Sequence, residues 1–158
     1  MSENTLKLDE IDKKILKILC ENSKINNLAL AELVNLSPTP CARRVKILEE
    51  AGIIKNYSAK LSREKLGKSL TAFVAITLDR HSEERFKTFE AAVMSFPEVI
   101  RMSIITGRSE DYLLEVCVSD MEEYRDFLLS RLNRIEGVVN VHSSFELNRV
   151  IDREIFSS

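Results

Sequence analysis

Apolar residues recur at three- and four-residue steps through Leu8, Ile11, Ile15, Ile18 and Leu19, with Asp9 placed to cap, so residues 8–21 are predicted to form an amphipathic helix. After the polar break ENSKINN, Asn27 can cap a short second helix over LALAELV, whose Leu30, Leu33 and Val34 supply an apolar face. A third helix is predicted over PTPCARRVKILEEAG. Ser37 is its N-cap candidate, and Pro38 and Pro40 fall in the first turn, where N–H groups have no intrahelical partner. Steps of about 100° per residue put Cys41, Val45 and Leu48 on one face and Thr39, Arg43 and Lys46 on the other, with Gly52 as the stop. The stretch IIKNYSAKLS has the extended character of a short hairpin or wing, and REKLGKS reads as a linker. A first domain over 1–61, a linker over 62–69 and a second domain over 70–158 follow.

In the second domain the period changes. LTAFVAITLD is strand-like; SEERFKTFEAAVMSF is helical, with Phe86, Phe89 and Val93 in register and Pro97 beyond its end. EVIRMSIITG and DYLLEVCVSD are two further strands. DMEEYRDFLLSRLNRIEG is a second helix, with Asp120 and Glu123 in capping-box positions and Gly137 as its stop, and VVNVHSSFELNRVI is a last strand. The order β-α-β-β-α-β is the split βαβ, ferredoxin-like arrangement, and SFPEVIRMSI and RIEGVVNVHS echo each other after the two helices. Both helices of such a fold lie on one face of the sheet. Phe73, Ala75, Ile105, Leu114 and Val116 are apolar on both sides of the pleat, which predicts a second covered face, most simply by a dimer.

Charge sharpens the division. Residues 1–68 carry 13 Lys and Arg against 9 Asp and Glu, net +4, whereas residues 69–158 carry 10 against 16, net −6, so only the first part is suited to a polyanion. No apolar run approaches the ~18 residues of a membrane span, and MSENTLKLDEIDKK lacks the apolar core of a signal peptide. Cys20, Cys41 and Cys117 are widely spaced among apolar neighbours and read as reduced thiols of a cytoplasmic protein, with neither disulfide nor metal site.

The turn NLSPTP into a helix displaying Thr39, Arg43, Arg44 and Lys46 fits a helix-turn-helix, whose second helix meets the major groove near its N-terminus. A helical subdomain with a solvated charged face would have the same spacing. In TGRSEDY, Gly107 can take positive φ and expose backbone N–H groups to a carboxylate, while Asp111 could receive an ammonium, which together suit a zwitterionic amino acid. A tight turn between antiparallel strands would use the same residue types.

The runs LDEIDKKILKIL, LAELVNLSPTPCARRVKILEEAGIIKNYSAKL and ITGRSEDYLLEVCVSDMEEY, in that order, resemble the Lrp/AsnC family of transcription regulators over nearly the whole chain. The resemblance implies an α+β protein with an N-terminal winged helix-turn-helix and a C-terminal ferredoxin-like, RAM-type domain, acting on double-stranded DNA under a small effector, an amino acid. It places Ser37, Thr39, Arg43, Arg44 and Lys46 at or beside DNA: Ser37 and Thr39 on phosphate, Arg43 and Lys46 at base edges, Arg44 at the flank. It places Gly107, Arg108, Asp111 and Tyr112 around the effector, with Thr106, Ser143 and Ser144 facing them. It also implies dimers that associate further, to an octamer of four dimers.

His81 precedes a helix start and His142 lies on a strand beside no Cys, Asp or Glu cluster, so both read as solvent-facing or structural. No phosphate-loop, dinucleotide or nucleophile-elbow motif occurs, so neither cofactor nor catalytic residue is expected. Two alternatives keep part of this reading: an effector-blind architectural DNA binder, and a ferredoxin-like metabolic enzyme whose N-terminal helices serve another partner.

Overall fold

The computed structural model describes residues 6–107 and 109–152. The chain divides into two compact units. One takes in the chain up to Lys60 together with the segment from Val150 onward, and the other is Leu61–Arg149.

In the first unit, α1 (Glu10–Glu21) begins at the Asp9 cap, where the Asp9 and Asp12 side chains each accept the other's backbone N–H. Helix α2 (Asn27–Leu33) is capped by Asn26, one residue earlier than expected. Asn27 instead donates its side-chain amide to the Pro38 carbonyl at 2.8 Å, joining the start of α2 to the start of α3 (Pro38–Glu50). The turn between them passes through Asn35 at φ 56°, a left-handed conformation that asparagine tolerates better than most residues. Ile15, Leu16, Leu30, Ala31, Val34, Cys41 and Leu48 form the core of this unit.

Past α3 the chain forms no strand hairpin of its own. Gly52 takes φ +69°, and the N–H groups of Ile53 and Ile54 both return to the Leu48 carbonyl, turning the two isoleucines onto the core. Residues 55–62 contain no strand. They offer no two-residue turn signal and no second alternating apolar run with which a first could pair. The Tyr57 hydroxyl instead donates to Glu49 of α3 at 2.7 Å.

In the second unit the linker forms a short 3-10 turn, Glu64–Leu66. It is followed by β1 (Leu70–Leu78), α4 (Glu83–Met94), β2 (Val99–Ile104), β3 (Tyr112–Val118), α5 (Met121–Ser130) and β4 (Val138–Phe145). The antiparallel sheet has the order β2-β3-β1-β4, as the ferredoxin-like reading requires. Ala72, Val74, Ile76 and Leu78 of β1 and Leu114, Val116 and Val118 of β3 share one face, buried with Phe89, Val93, Tyr124 and Phe127 of the helices.

Helix α5 stops at Ser130, short of the expected end. A 3-10 turn, Leu132–Arg134, follows and buries Leu132 completely, which a continued α-helical phase would not do at this point. Gly137 then opens β4 at φ +90°. A Cβ there would also lie 2.5 Å from Nε of Arg85, whose guanidinium is held by the Glu136 carbonyl, so glycine is required twice over. The last strand likewise ends at Phe145, six residues before the expected limit.

The opposite face of the sheet is less apolar than the sequence pattern suggested. Its centre holds Glu115, 5 % exposed, which accepts from Arg63 of the linker at 3.0 Å and from Arg149 beyond β4 at 2.6 Å. Burial raises the Glu115 carboxyl pKa, but Arg149 and Arg63 outweigh it and keep it below the ordinary glutamate value. Part of this face is therefore covered by the chain's own arginines.

Candidate DNA-reading helix and effector loop

Helix α3 is buried on one side through Cys41 and Leu48, which fixes what the other side displays. Ser37, Thr39, Arg43 and Lys46 are all exposed. Ser37 holds the N-cap position but makes no side-chain capping bond, so its hydroxyl stays presented to solvent with the open N–H groups of the first turn. Lys46 lies 3.6 Å from Glu50 with both side chains largely in water, a contact worth little. Among the described residues Arg43 has no ion-pair partner. Below this face, burial and the neighbouring Glu49 push the Tyr57 hydroxyl pKa up to about 12.

Arg44 is placed differently from its neighbours. Its Nη1 donates to Asp9 at 2.7 Å and to Asp12 at 2.8 Å, both at the start of α1, and its side chain is 32 % exposed. Of the five sequence-derived DNA residues, four share the open face of α3 and Arg44 turns to α1.

The loop between β2 and β3 is pinned to the end of β1. Asp111 donates its backbone N–H to the Ile76 carbonyl at 2.8 Å, and its carboxylate accepts the Leu78 N–H at 2.8 Å. The second carboxylate oxygen sits 2.7 Å from Nε2 of His81. Gly107, at φ +93°, and Thr106 lie exposed at the tip; Arg108 falls outside the described residues.

Tyr112 and the two serines lie apart from that tip. Tyr112 is fully buried on the helix face, packs against Phe89 at 4.7 Å between ring centres, and donates its hydroxyl to Glu90 at 2.7 Å. Burial raises its pKa, with Glu90 adding to the effect. Ser143 pairs with the Tyr124 hydroxyl on that same face, whereas Ser144, opposite Phe73, points to the other. The chain thus brings Thr106, Gly107 and Asp111 together and separates Tyr112, Ser143 and Ser144 from them. His81, read from sequence as solvent-facing or structural, joins the loop, and no local pattern links residues thirty apart.

A cleft of about 580 Å³ lies elsewhere in this unit, lined by Glu98, Asp120, Glu122, Glu123, Asp126 and Arg131. Five carboxylates against one guanidinium disfavour a ligand carboxylate, so the chemistry of amino-acid capture does not point there.

The family model for the Lrp/AsnC ligand binding domain matches residues 71–156, and one for a winged helix-turn-helix DNA-binding domain matches residues 8–55. The DNA-binding transcriptional activator DecR of Escherichia coli is 41 % identical over 143 residues, 90 % of this chain and 93 % of that protein. The leucine-responsive regulatory protein of Haemophilus influenzae is 45 % identical over 131 residues, 83 % of this chain and 78 % of its own. Among solved structures, a transcriptional regulator of Neisseria meningitidis in complex with L-Met superposes with a TM-score of 0.88 at 39 % identity, over 93 % of this chain and 94 % of that one.

Proposed function

Because the chain belongs to the Lrp/AsnC family of DNA-binding transcription regulators, we propose that α3 enters the DNA major groove and that the loop from Thr106 to Asp111 takes an α-amino acid. The observation that carries the first half is the open face of α3, where an arginine with no ion-pair partner among the described residues and a lysine stand beside two hydroxyls at the helix N-terminus. Arg43 and Lys46 suit guanine edges, and Ser37 and Thr39 suit phosphate. The chain is a regulator, not an enzyme, which sets aside the metabolic-enzyme reading.

For the effector, support comes from the chemistry of the loop and from the L-Met complex of the Neisseria relative. Asp111 would receive the ammonium once His81 gives way, and the exposed N–H groups around Gly107 would receive the carboxylate. One chain supplies too few groups to enclose an amino acid. The site is therefore completed by a second copy in a homo-oligomer, a dimer that associates further, to four dimers. An effector that prefers one assembly over another shifts the balance between them by its difference in affinity, and DNA occupancy follows. The chain performs this role in the cytoplasm.

The direct test of the groove-entering helix is footprinting on a duplex that the protein itself enriches from a random-sequence pool. Arg43→Ala should cost roughly 1–3 kcal/mol and relax specificity at one base position. A footprint and specificity unchanged by that substitution would take α3 out of the groove.

A further inference from the structure

We propose that Arg44 is a positioning residue: the latch that holds α3 against α1, anchored by Asp9 and Asp12, and no DNA contact of its own. The inference rests on the reading that α3 meets DNA and concerns how that helix is held. The two aspartates divide their oxygens between two tasks. Asp9 Oδ1 accepts the Asp12 N–H at 2.8 Å and Asp12 Oδ2 accepts the Asp9 N–H at 3.1 Å, which closes the cap of α1. The remaining oxygens, Asp9 Oδ2 and Asp12 Oδ1, converge on the one Nη1 of Arg44 at 2.7 and 2.8 Å.

Asp12 is only 13 % exposed in its side chain, so without the guanidinium it would be a largely buried anion facing a second anion in the same turn. The Asp12 N–H and then Arg44 hold the Asp9 carboxyl below its ordinary pKa, and the two aspartates raise that of Arg44. One guanidinium thus serves both carboxylates, and the net negative charge that remains lies at the N-terminus of α1, where the helix dipole favours it. Arg43, one residue earlier, turns to solvent and has no ion-pair partner among the described residues. One arginine is built to grip another molecule and the next to grip its own chain.

A phosphate contact and a latch predict opposite signs. Neutralising an acid near a DNA interface ordinarily tightens binding, and removing an arginine that neutralises a phosphate lowers the salt slope by about 0.9. The latch predicts instead that Asp12→Asn weakens DNA binding although it removes a negative charge.

The test titrates the full-length protein onto two labelled duplexes, one enriched from a random pool by the wild-type protein and one of mixed sequence. It is run across a salt series at a temperature where far-UV circular dichroism shows each variant folded. Asp12→Asn and Arg44→Met should each weaken binding to the enriched duplex by roughly tenfold with the salt slope unchanged, and the double variant should be no weaker than the weaker single. Asp9→Asn keeps a side chain able to cap and guards against a misfolded Asp12 variant; it should fall between those variants and the wild type. A salt slope reduced by Arg44→Met, with binding unchanged or tightened in the aspartate variants, would overturn the latch. Arg43→Ala separates the two claims. If it weakens binding while the aspartate variants do not, only the latch fails; if it too has no effect, the placement of α3 fails and the latch falls with it.

Discussion

The two candidate sites differ in how much of their chemistry is already spent. On α3, Ser37, Thr39, Arg43 and Lys46 face outward, and among the described residues the only ion pair they make is the exposed Lys46–Glu50 contact. At the β2–β3 loop, Asp111 is occupied by the Leu78 N–H and by His81, and Tyr112 is wholly inside. The contrast follows from what each partner requires. DNA presents a long array of phosphates and base edges, so one helix face with unanswered charge suffices for each protein unit. A small zwitterion needs donors and acceptors converging from several directions. On the proposed reading, the loop supplies half of a site and a second copy supplies the rest.

The largest effect that would sharpen this contrast comes from Tyr112. If it is core and not a ligand contact, Tyr112→Ala should destabilise the protein by about 3–5 kcal/mol in chemical denaturation. Tyr112→Phe, which removes only the bond to Glu90, should cost about 1 kcal/mol and leave amino-acid binding unchanged. Effector affinity lost in the phenylalanine variant with stability intact would move Tyr112 into the site. On the DNA side, Arg43→Ala carries the next largest effect, as above. Lys46→Ala should mainly weaken binding and lower the salt slope by about one phosphate's worth, ~0.9, in a fluorescence-anisotropy titration.

The smallest effect is a pH dependence within the second unit. Lys68 and the N–H and hydroxyl of Ser119 bring the Glu123 carboxyl from 4.5 down to about 2. Its folded pKa is depressed, so its contribution to stability is present above about 4.5 and lost as the pH falls toward about 2. Denaturation followed between those values should show an acid-side loss in the wild type that is reduced in Glu123→Gln. An identical slope in both would mean that Glu123 is not held as the structure describes.

The order of elements and both helix caps at Asp9 and Ser37 were legible in the sequence because period and capping chemistry are local. So was the outward face of α3, since burying Cys41 and Leu48 leaves Arg43 and Lys46 no other side. What was not legible depends on pairing at a distance. Arg44 reads like Arg43 along the chain, and only the packing of α3 on α1 shows that it lies between two aspartates. Ser143 and Ser144 were placed together by the family resemblance, but successive strand residues face opposite sides. A hairpin over IIKNYSAKLS was read from extended character, which does not supply a partner strand. His81 was set aside as a residue just ahead of a helix start, and its partner, Asp111, arrives from another strand end.

If DNA grip and effector sensing reside in separate residues of one chain, as proposed, thermal-shift measurement against the twenty amino acids will separate them. At 100 times its Kd a ligand stabilises the folded state by roughly 2.7 kcal/mol. The account predicts a shift from one or a few amino acids, retained in Arg43→Ala and lost in a folded Asp111→Ala. No shift with any of the twenty, or a shift indifferent to Asp111, would contradict it.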